Sequence, residues 1–585
     1  MLPLGHVQSL GEALLDATYT FKSNVALLEA DRRRETGRRT FAEVRAEAVQ
    51  VAEWLQAGGF VAGDRCAILM QNGSRWPIGA TGVFIAGGVL LPLDYKLTAP
   101  EQAALIAHGR PSVLLTEWPV WRLLRDHIAG LEHRPRVVVH DVPEGEALDA
   151  VDGLEVVRWD DLPAPVDVEG FALVERARED VACIVYSSGT GGTPKGCMLT
   201  HDNYLCQAEA LGAWYPMAED DLVFSVLPTN HAIDFMTGFL MPALFGGRVV
   251  HQRTLRGEFL SWTMQHYGVT HIALVPRLLK MFEEKIRERI DGLPAWQRLV
   301  VDGLLAVNEA ATWKRPNHAL SSKLLKPLHD GFGGRLRYIF AGGAFVERDM
   351  AEFFHRIGIP VAIGYGLTEA GTVLTLNDLA PFRADTVGRP IDGVELELRD
   401  VDADGVGEVW VRGGTVMKGY LDEPELTAET IVDGWLRTGD RGRLDASGHL
   451  KLLGRAKNMI VTAGGKNVYP EDVEALIGDL PGCEELCVVA TDYVWPGRGG
   501  LGAETLAAVV YLGDDGDLDT VLGELARRNR TLADYKRLAF VVVADDAFPR
   551  TASMKVKRGV LAEQVRAQGE PTDLLRALDA REAAE

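Results

Sequence analysis

Residues 186–196 read YSSGTGGTPKG, and their side chains suit the cradling of an anion. Ser187, Ser188, Thr190 and Thr193 bring short hydroxyls, Gly189, Gly191 and Gly192 let backbone N–H groups turn toward a ligand, and Lys195 adds a compact charge. The apolar run VACIV stands directly before them, so the loop leaves the end of a buried strand. A nucleotide phosphate is the anion such a loop fits. It is not a Walker loop, which needs Gly before the Lys and Ser or Thr after it to reach Mg²⁺; here Pro194 precedes Lys195 and Gly196 follows. A second suggestive run, Asp400, Asp402, Asp404 and Gly405, imitates the start of a calcium loop. Its twelfth position is Val411 instead of Glu and its flanks alternate as strands do, so it reads as a hairpin turn.

The elements that must carry these residues are legible from periodicity. Residues 40–94 read as helix, short strand (CAILMQN), helix and strand (GVLLPLD). The same rhythm returns at 113–116, 137–139, 182–186, 223–227, 248–251, 271–275, 337–340 and 360–364. Apolar runs of this length suit parallel strands covered by helices on both faces, an α/β fold. From about residue 388 the pattern alternates with period two, and beyond 453–458 a second, smaller α/β pattern runs to about 565, followed by a Glu/Ala/Arg-rich tail.

Composition narrows the function classes. The 585 residues are 47% hydrophobic and 25% charged, as in globular proteins, which excludes disorder and collagen-like structure. Lys and Arg number 61 against 83 Asp and Glu, a net charge of −22 that repels a phosphate backbone, and no basic run offsets it; a nucleic-acid partner is excluded. The longest apolar stretch, 83–93, is far too short to cross a bilayer, and no secretory leader is visible, so a cytoplasmic protein is expected. Six scattered cysteines, without a CxxC pair, are expected to be reduced structural thiols.

At the phosphate loop the sequence resembles the adenylate-forming enzymes: acyl- and aryl-CoA synthetases, luciferases and peptide-synthetase adenylation domains. Residues 187–196 match that family's loop with Gly191 in place of the usual Thr. Four further motifs follow in order. GYGLTEAG, with Gly364, Tyr365, Gly366, Thr368 and Glu369, is similar to the adenine and magnesium motif; the resemblance implies that Tyr365 stacks on adenine, Thr368 meets the α-phosphate and Glu369 holds Mg²⁺. WLRTGD implies a ribose-binding Asp440. LGRAKNMIVTAGGKNVYPEDVE implies Arg455 on the ribose, Lys457 as a hinge, and Gly464, Gly465 and Lys466 along a pantetheine tunnel. PRTASMKVKR implies the mobile catalytic lysine, which alignment places at Lys555; Met554 stands where Gly is usual and Lys557 is a nearby competitor.

The resemblance spans about residues 40–559 and implies an α/β architecture: a large N-terminal domain (1–456) of mostly parallel β-sheets flanked by helices with a small β-barrel-like part, a small mobile α+β lid (457–565), and a helical or disordered tail (566–585). The implied reaction activates a carboxylic acid with ATP and Mg²⁺ as an acyl-adenylate and transfers the acyl group to coenzyme A. Catalytic roles fall to Lys555, Glu369, Thr368 and Lys195. The acyl pocket would use His231, Phe235, Met236, Gly238 and Gly342, beside Gly343 and Ala344 that admit the adenylate. It reads as an apolar slot without a cationic or carboxylate partner, so a fatty or apolar aromatic acid is expected; His231 fits either the pocket's mouth or a hydrogen-bonded core position. The region resembles the long-chain fatty acyl branch. Two alternatives stay open: delivery to a carrier-protein phosphopantetheine, and a catalytically silent nucleotide- or acyl-binding module motivated by Gly191 and Met554. A homodimer is an assembly the sequence allows.

Overall fold

The computed structural model describes residues 4–148, 151, 153–187, 194–461, 467–496, 505–513, 516–550 and 556–578. The chain divides into two compact units, one of residues 1–396 and 411–436, the other of residues 397–410 and 437–585. The position 456/457 thus lies inside the second unit, and the β-rich stretch after residue 388 contributes to both.

In the first unit the apolar runs become strands of two sheets. In one, Leu222–Ser225, Arg248–Gln252, His271–Leu274, Tyr338–Ala341 and Val361–Tyr365 pair in parallel. In the other, Arg65–Leu69, Val89–Pro92, Val113–Glu117 and Arg136–His140 do the same, with Val181–Ser187 beside Val89–Pro92. Val113–Glu117 and Leu222–Ser225 are buried at every position, as coverage on both faces requires. The helix Phe41–Ala57 starts where expected, at a Thr40–Glu43 capping box. Antiparallel pieces extend the sheets: Val25–Asp31 with Arg34–Thr40, Thr375–Leu376 with Val361–Tyr365, and Lys195–Thr200 with Val181–Ser187. Arg34–Thr40 (RETGRRT) has no apolar alternation to reveal it.

In the second unit Glu485–Ala490, Leu506–Tyr511 and Phe540–Val543 form a sheet whose core includes Val473 and Ile477 of the helix Pro470–Ile477 and Val521 and Leu525 of the helix Leu518–Asn529. The tail expected to be helical or disordered is stitched to this sheet. Residues 566–568 end the helix Arg558–Gln568, and Arg576–Ala577 pairs antiparallel with Phe540–Val543 next to buried Leu578. Leu578 supplies burial that the charged composition masks. Among the described residues no helix is long and apolar enough to cross a membrane.

Candidate functional site

The anion-cradle run joins the arms of a hairpin. Tyr186 lies opposite Gly196 and Ser187 opposite Lys195. Gly196 sits in a closely packed place, where a Cβ would stand 3.0 Å from Ile184 Cγ2. The helix Ala99–Gly109 anchors the first arm: the Tyr186 hydroxyl lies 2.8 Å from His108 Nδ1 and donates to Leu105 O at 3.3 Å. Ser188, Gly189, Thr190, Gly191, Gly192 and Thr193 lie outside the described residues.

The GYGLTEAG run leaves the strand Val361–Tyr365, and Thr368–Ala370 makes one 3-10 turn. Only glycine fits at 366, where a Cβ would stand 1.8 Å from Thr372 O. The turn is fastened by Gln207 on the helix His201–Trp214, fully buried: Nε2 donates to Ala370 O at 3.1 Å and Oε1 accepts from Val373 N at 3.0 Å. Asn203, on the same helix, donates to Gly414 O at 2.7 Å and Val416 O at 2.9 Å. Met417 N donates to Glu369 O at 2.9 Å, so one helix fixes both the acidic turn and the segment leading to Tyr420.

Tyr420 is the residue that brings the site together. Its hydroxyl donates to Glu369 Oε1 at 3.0 Å, and Lys195 Nζ lies 5.5 Å from its ring centroid. It sits on Gly419–Tyr420, which pairs antiparallel with Lys195–Thr200. Burial, then the Glu369 charge, raises the phenol's pKa, so it donates at neutral pH. One Glu369 oxygen is thereby engaged. Among the described residues no group of three or more His, Cys, Asp or Glu could hold a metal by itself.

Around this cluster Tyr365 is 9% exposed, and Gly343 has φ +82°. A Cβ on Gly342 would stand 3.1 Å from Gly364 O, so the FAGGA and GYG runs meet backbone to backbone, with Ala344 exposed. The acyl segment differs from an open apolar slot. After the single turn Ala232–Asp234, residues Phe235–Leu240 wind as a π-helix, a form frequent at functional sites. Phe235 and Met236 are buried, and the Phe235 ring packs on Tyr204 at 4.9 Å, Phe239 at 5.5 Å and Trp76 at 5.9 Å, which makes it core. Gly238 makes room for Asp234, whose carboxylate oxygens would stand 2.6 Å from a Cβ there. Buried Asp234 accepts from Ser225 Oγ at 2.7 Å and Thr229 Oγ1 at 2.9 Å; desolvation still pushes its pKa up to about 7.

His231 Nε2 lies 3.8 Å from Asp94 Oδ2. Burial lowers the imidazole pKa against the opposing pull of Asp94. The slot expected to lack a carboxylate therefore has Asp94 facing its histidine and Asp234 on its own helical turn. Asn72 secures the same loop, donating to Ser225 Oγ at 2.9 Å and Leu227 O at 2.6 Å and accepting from Thr229 N at 2.9 Å.

Within the second unit, the two ribose candidates are brought face to face. Asp440 and Arg455 are directly opposed on the strands Trp435–Leu444 and Leu450–Arg455, and Arg455 Nε lies 2.7 Å from Asp440 Oδ1. Asp440 N donates to Thr438 Oγ1 at 3.1 Å, and Arg455 Nη1 donates to Thr438 O at 3.2 Å. Lys457 is exposed in the turn Ala456–Asn458. The strands Ile460–Val461 and Asn467–Val468 pair antiparallel on either side of Gly464, Gly465 and Lys466, which lie outside the described residues. Lys555 also lies outside them, but its flanks are firmly held. Arg550 bridges Val556, Lys557 N donates to Pro549 O at 2.7 Å, Arg550 Nε donates to Glu485 at 2.9 Å, and Arg558 Nη2 donates to Glu474 at 2.7 Å. Glu471, 3.5 Å from Arg558, accepts from Asn458 Nδ2 at 2.6 Å, so the hinge candidate's neighbour and the lysine segment share one acid.

The chain has relatives among known proteins. A family profile described as AMP-binding enzyme matches residues 16–421. The chain is 26% identical over 539 residues to a long-chain-fatty-acid–CoA ligase, FadD15, of Mycobacterium bovis, covering 86% of this chain and 87% of that one. It is 29% identical over 547 residues to the 3-[(3aS,4S,7aS)-7a-methyl-1,5-dioxo-octahydro-1H-inden-4-yl]propanoyl:CoA ligase of Rhodococcus jostii, covering 90% and 94%. Among solved structures, the anthranilate CoA ligase AuaEII in complex with anthranoyl-AMP superposes with a TM-score of 0.76 at 22% identity, covering 97% of this chain and 98% of that one.

Proposed function

The chain belongs to the AMP-binding enzyme family and is an AMP-forming acid–thiol ligase, and from that premise we propose how its own residues divide the reaction and which acid they accept. The enzyme converts a carboxylic acid and ATP to acyl-adenylate and pyrophosphate, then passes the acyl group to the thiol of coenzyme A and releases AMP. Ser187, Lys195 and the amides between them receive the departing phosphates; Thr368 receives the α-phosphate and Tyr365 the adenine. In the second unit Asp440 and Arg455 take the ribose hydroxyls. The 2.7 Å ion pair supports this, since it holds the two side chains together and orients the carboxylate.

A carboxylate oxygen attacks the α-phosphorus, a new P–O bond forms, and the bond to the bridging oxygen breaks with its electron pair leaving on pyrophosphate. The nucleophile is already ionised, so no base is required. Two anions must meet, so positioning and positive charge do most of the work. Glu369 would hold Mg²⁺, which when bound neutralises phosphate charge. Tyr420 fixes one Glu369 oxygen and its ring lies beside Lys195. Lys555 serves the carboxylate and α-phosphate. One charge at ~4 Å and an effective dielectric of ~20 is worth about 4 kcal/mol, or roughly three orders of magnitude in rate. For thiolysis, Lys457 acts as the hinge, and Gly464, Gly465 and Lys466 border the path of the pantetheine arm.

The acid we assign is fatty or otherwise apolar. A long-chain fatty acid and a ring-bearing propanoate in the names of two relatives support it. The observation that carries the assignment of the site is the meeting of Lys195, Tyr420 and Glu369, which three distant segments supply. Pyrophosphate release over a panel of acids, with and without coenzyme A, tests the reading. Release and thioester formation with aliphatic acids are expected. Release indifferent to coenzyme A would move the acceptor to a carrier protein, and no release with any acid would leave a silent binding module.

A further inference from the structure

In the second unit the helix Pro470–Ile477 turns Val473 and Ile477 into the core, and its first turn meets the strand Leu450–Arg455. Glu471 stands at that meeting, and its two carboxylate oxygens have different surroundings. Oε1 accepts from Asn458 Nδ2 at 2.6 Å and lies 3.5 Å from Arg558 Nη2. Oε2 is buried and has no hydrogen-bond partner among the described residues. It faces the strand: a Cβ on Gly454 would stand 2.6 Å from Oε2 and 3.1 Å from Cβ of buried Tyr469. The neighbouring acid of the same turn, Asp472, is matched by Lys536 at 2.5 Å. A carboxylate oxygen shut off from water without a donor costs free energy, so this one calls for a reason.

Chain order supplies the reason. Asn458, Glu471 and Arg558 all follow Lys457, whereas Gly454 precedes it. A swing about Lys457 carries the Asn458–Glu471–Arg558 cluster as one piece and leaves Oε1 as it was. The same swing parts Glu471 from Gly454 and lets water reach Oε2. The cost of the orphaned oxygen therefore falls on the docked arrangement alone and offsets part of what the packing of Tyr469 on Gly454 contributes to it. We propose that Glu471 is a positioning residue for the two-step reaction: its buried oxygen weakens the docking of the helix Pro470–Ile477 on the strand Leu450–Arg455, so that the second unit exchanges between the arrangements that serve adenylation and thiolysis. The inference rests on the reading of Lys457 as the hinge.

The test reads each half-reaction by itself in the full chain: pyrophosphate release from acid and ATP, and thioester formation from supplied acyl-adenylate and coenzyme A. Glu471→Gln keeps an acceptor for Asn458 and removes the charge that resists docking. It should shift the ratio of the two rates about tenfold, the effect of one hydrogen bond to a charged group. Gly454→Ala crowds Oε2 and Tyr469, so docking becomes harder and the ratio should move the opposite way. Its φ of +154° also strains any side chain there, so a thermal melt accompanies it, and Glu471→Gln decides by itself if that variant does not fold. Asp534→Asn, at a side chain 91% exposed on the same unit, should leave both rates as they are. The proposal is overturned if Glu471→Gln lowers both rates together, or leaves the ratio unmoved, or moves it the same way as Gly454→Ala. Lys457→Pro checks the hinge separately. If it stops one half-reaction only, a failure of Glu471→Gln counts against Glu471 alone; if it stops both or neither, the hinge reading falls and the proposal falls with it.

Discussion

Changing Tyr420 to Phe removes one hydroxyl and keeps the ring beside Lys195. The bond lost is a partly buried one to a carboxylate, 3.0 Å long. Hydrogen bonds to charged groups contribute about 1.5–3 kcal/mol, and at about 1.4 kcal/mol per decade the expected loss is roughly 10- to 100-fold. The same range is typical when the outer partner of a metal-holding side chain is removed. With Glu369 as the magnesium carboxylate, the loss must fall on the metal–nucleotide complex. We expect kcat/KM for ATP to drop by that factor and the Mg²⁺ concentration for half-maximal rate to rise, with KM for the acid unchanged. The assay is pyrophosphate release titrated with Mg²⁺ at saturating acid, beside a thermal melt. A lower melting temperature with an unmoved Mg²⁺ titration would make Tyr420 a structural residue only. A Mg²⁺ midpoint that falls would refute the reasoning from the other side, because the hydroxyl would then be competing with the cation for Glu369.

Lys555→Ala should slow adenylation about a thousandfold yet spare thioester formation from supplied acyl-adenylate; Lys457→Pro should do the reverse, and loss of one and the same half-reaction in both variants would end the two-role reading. Asp234 titrates near 7 when folded against about 3.9 in an unfolded chain. Its folded-state pKa is raised, so its stabilising contribution is present below about pH 4 and is lost as pH climbs through about 7, up to about 4 kcal/mol in all. Asn at this position keeps one oxygen for both hydroxyls, which point at the same Asp234 atom. The melting-temperature difference should therefore move in favour of Asp234→Asn between pH 5 and pH 8, and a flat difference would contradict the assignment. Arg558→Leu leaves buried Glu474 without its cation and should cost about 3–5 kcal/mol, partly recovered by Glu474→Leu in the same chain; calorimetry reads both.

The strands at 113, 137, 248, 271, 338 and 361 were legible because a strand covered on both faces writes an unbroken apolar run. Arg34–Thr40 and Lys195–Thr200 were not: the first lies at a sheet edge with almost no apolar residue, and the second opens with Lys and Gly. The π-turn at Phe235–Leu240 was equally hidden, since an added residue in a helical turn leaves no periodic mark in six residues. Among the candidate residues, Glu369, Asp440 and Arg455 stood in runs that resemble family motifs, and the structure opposes Asp440 and Arg455 on paired strands. Tyr420, Gln207, Asn203, Asn72 and Asp94 carry no such context. Each is a lone polar residue whose partner is set by the tertiary fold.

The buried amides among them follow one physical logic. Loops leaving parallel strands carry N–H and C=O groups that no ladder satisfies, and such groups cannot be buried unpaired. An Asn or Gln side chain presents donors and an acceptor together and brings no charge to desolvate. Gln207 uses both ends on the turn holding Glu369, and Asn203 accepts from Thr200 N at 2.8 Å while donating toward Gly414 and Val416. Asn72 does the same for the His231 loop, and Gln102 donates to Tyr95 O at 3.1 Å and Leu97 O at 2.9 Å beside Asp94. Carboxylates or lysines in these fastening roles would add fixed charge next to the nucleotide phosphates and shift the balance on which adenylation depends. Neutral amides fasten these loops without adding a charge of their own beside Lys195 and Glu369.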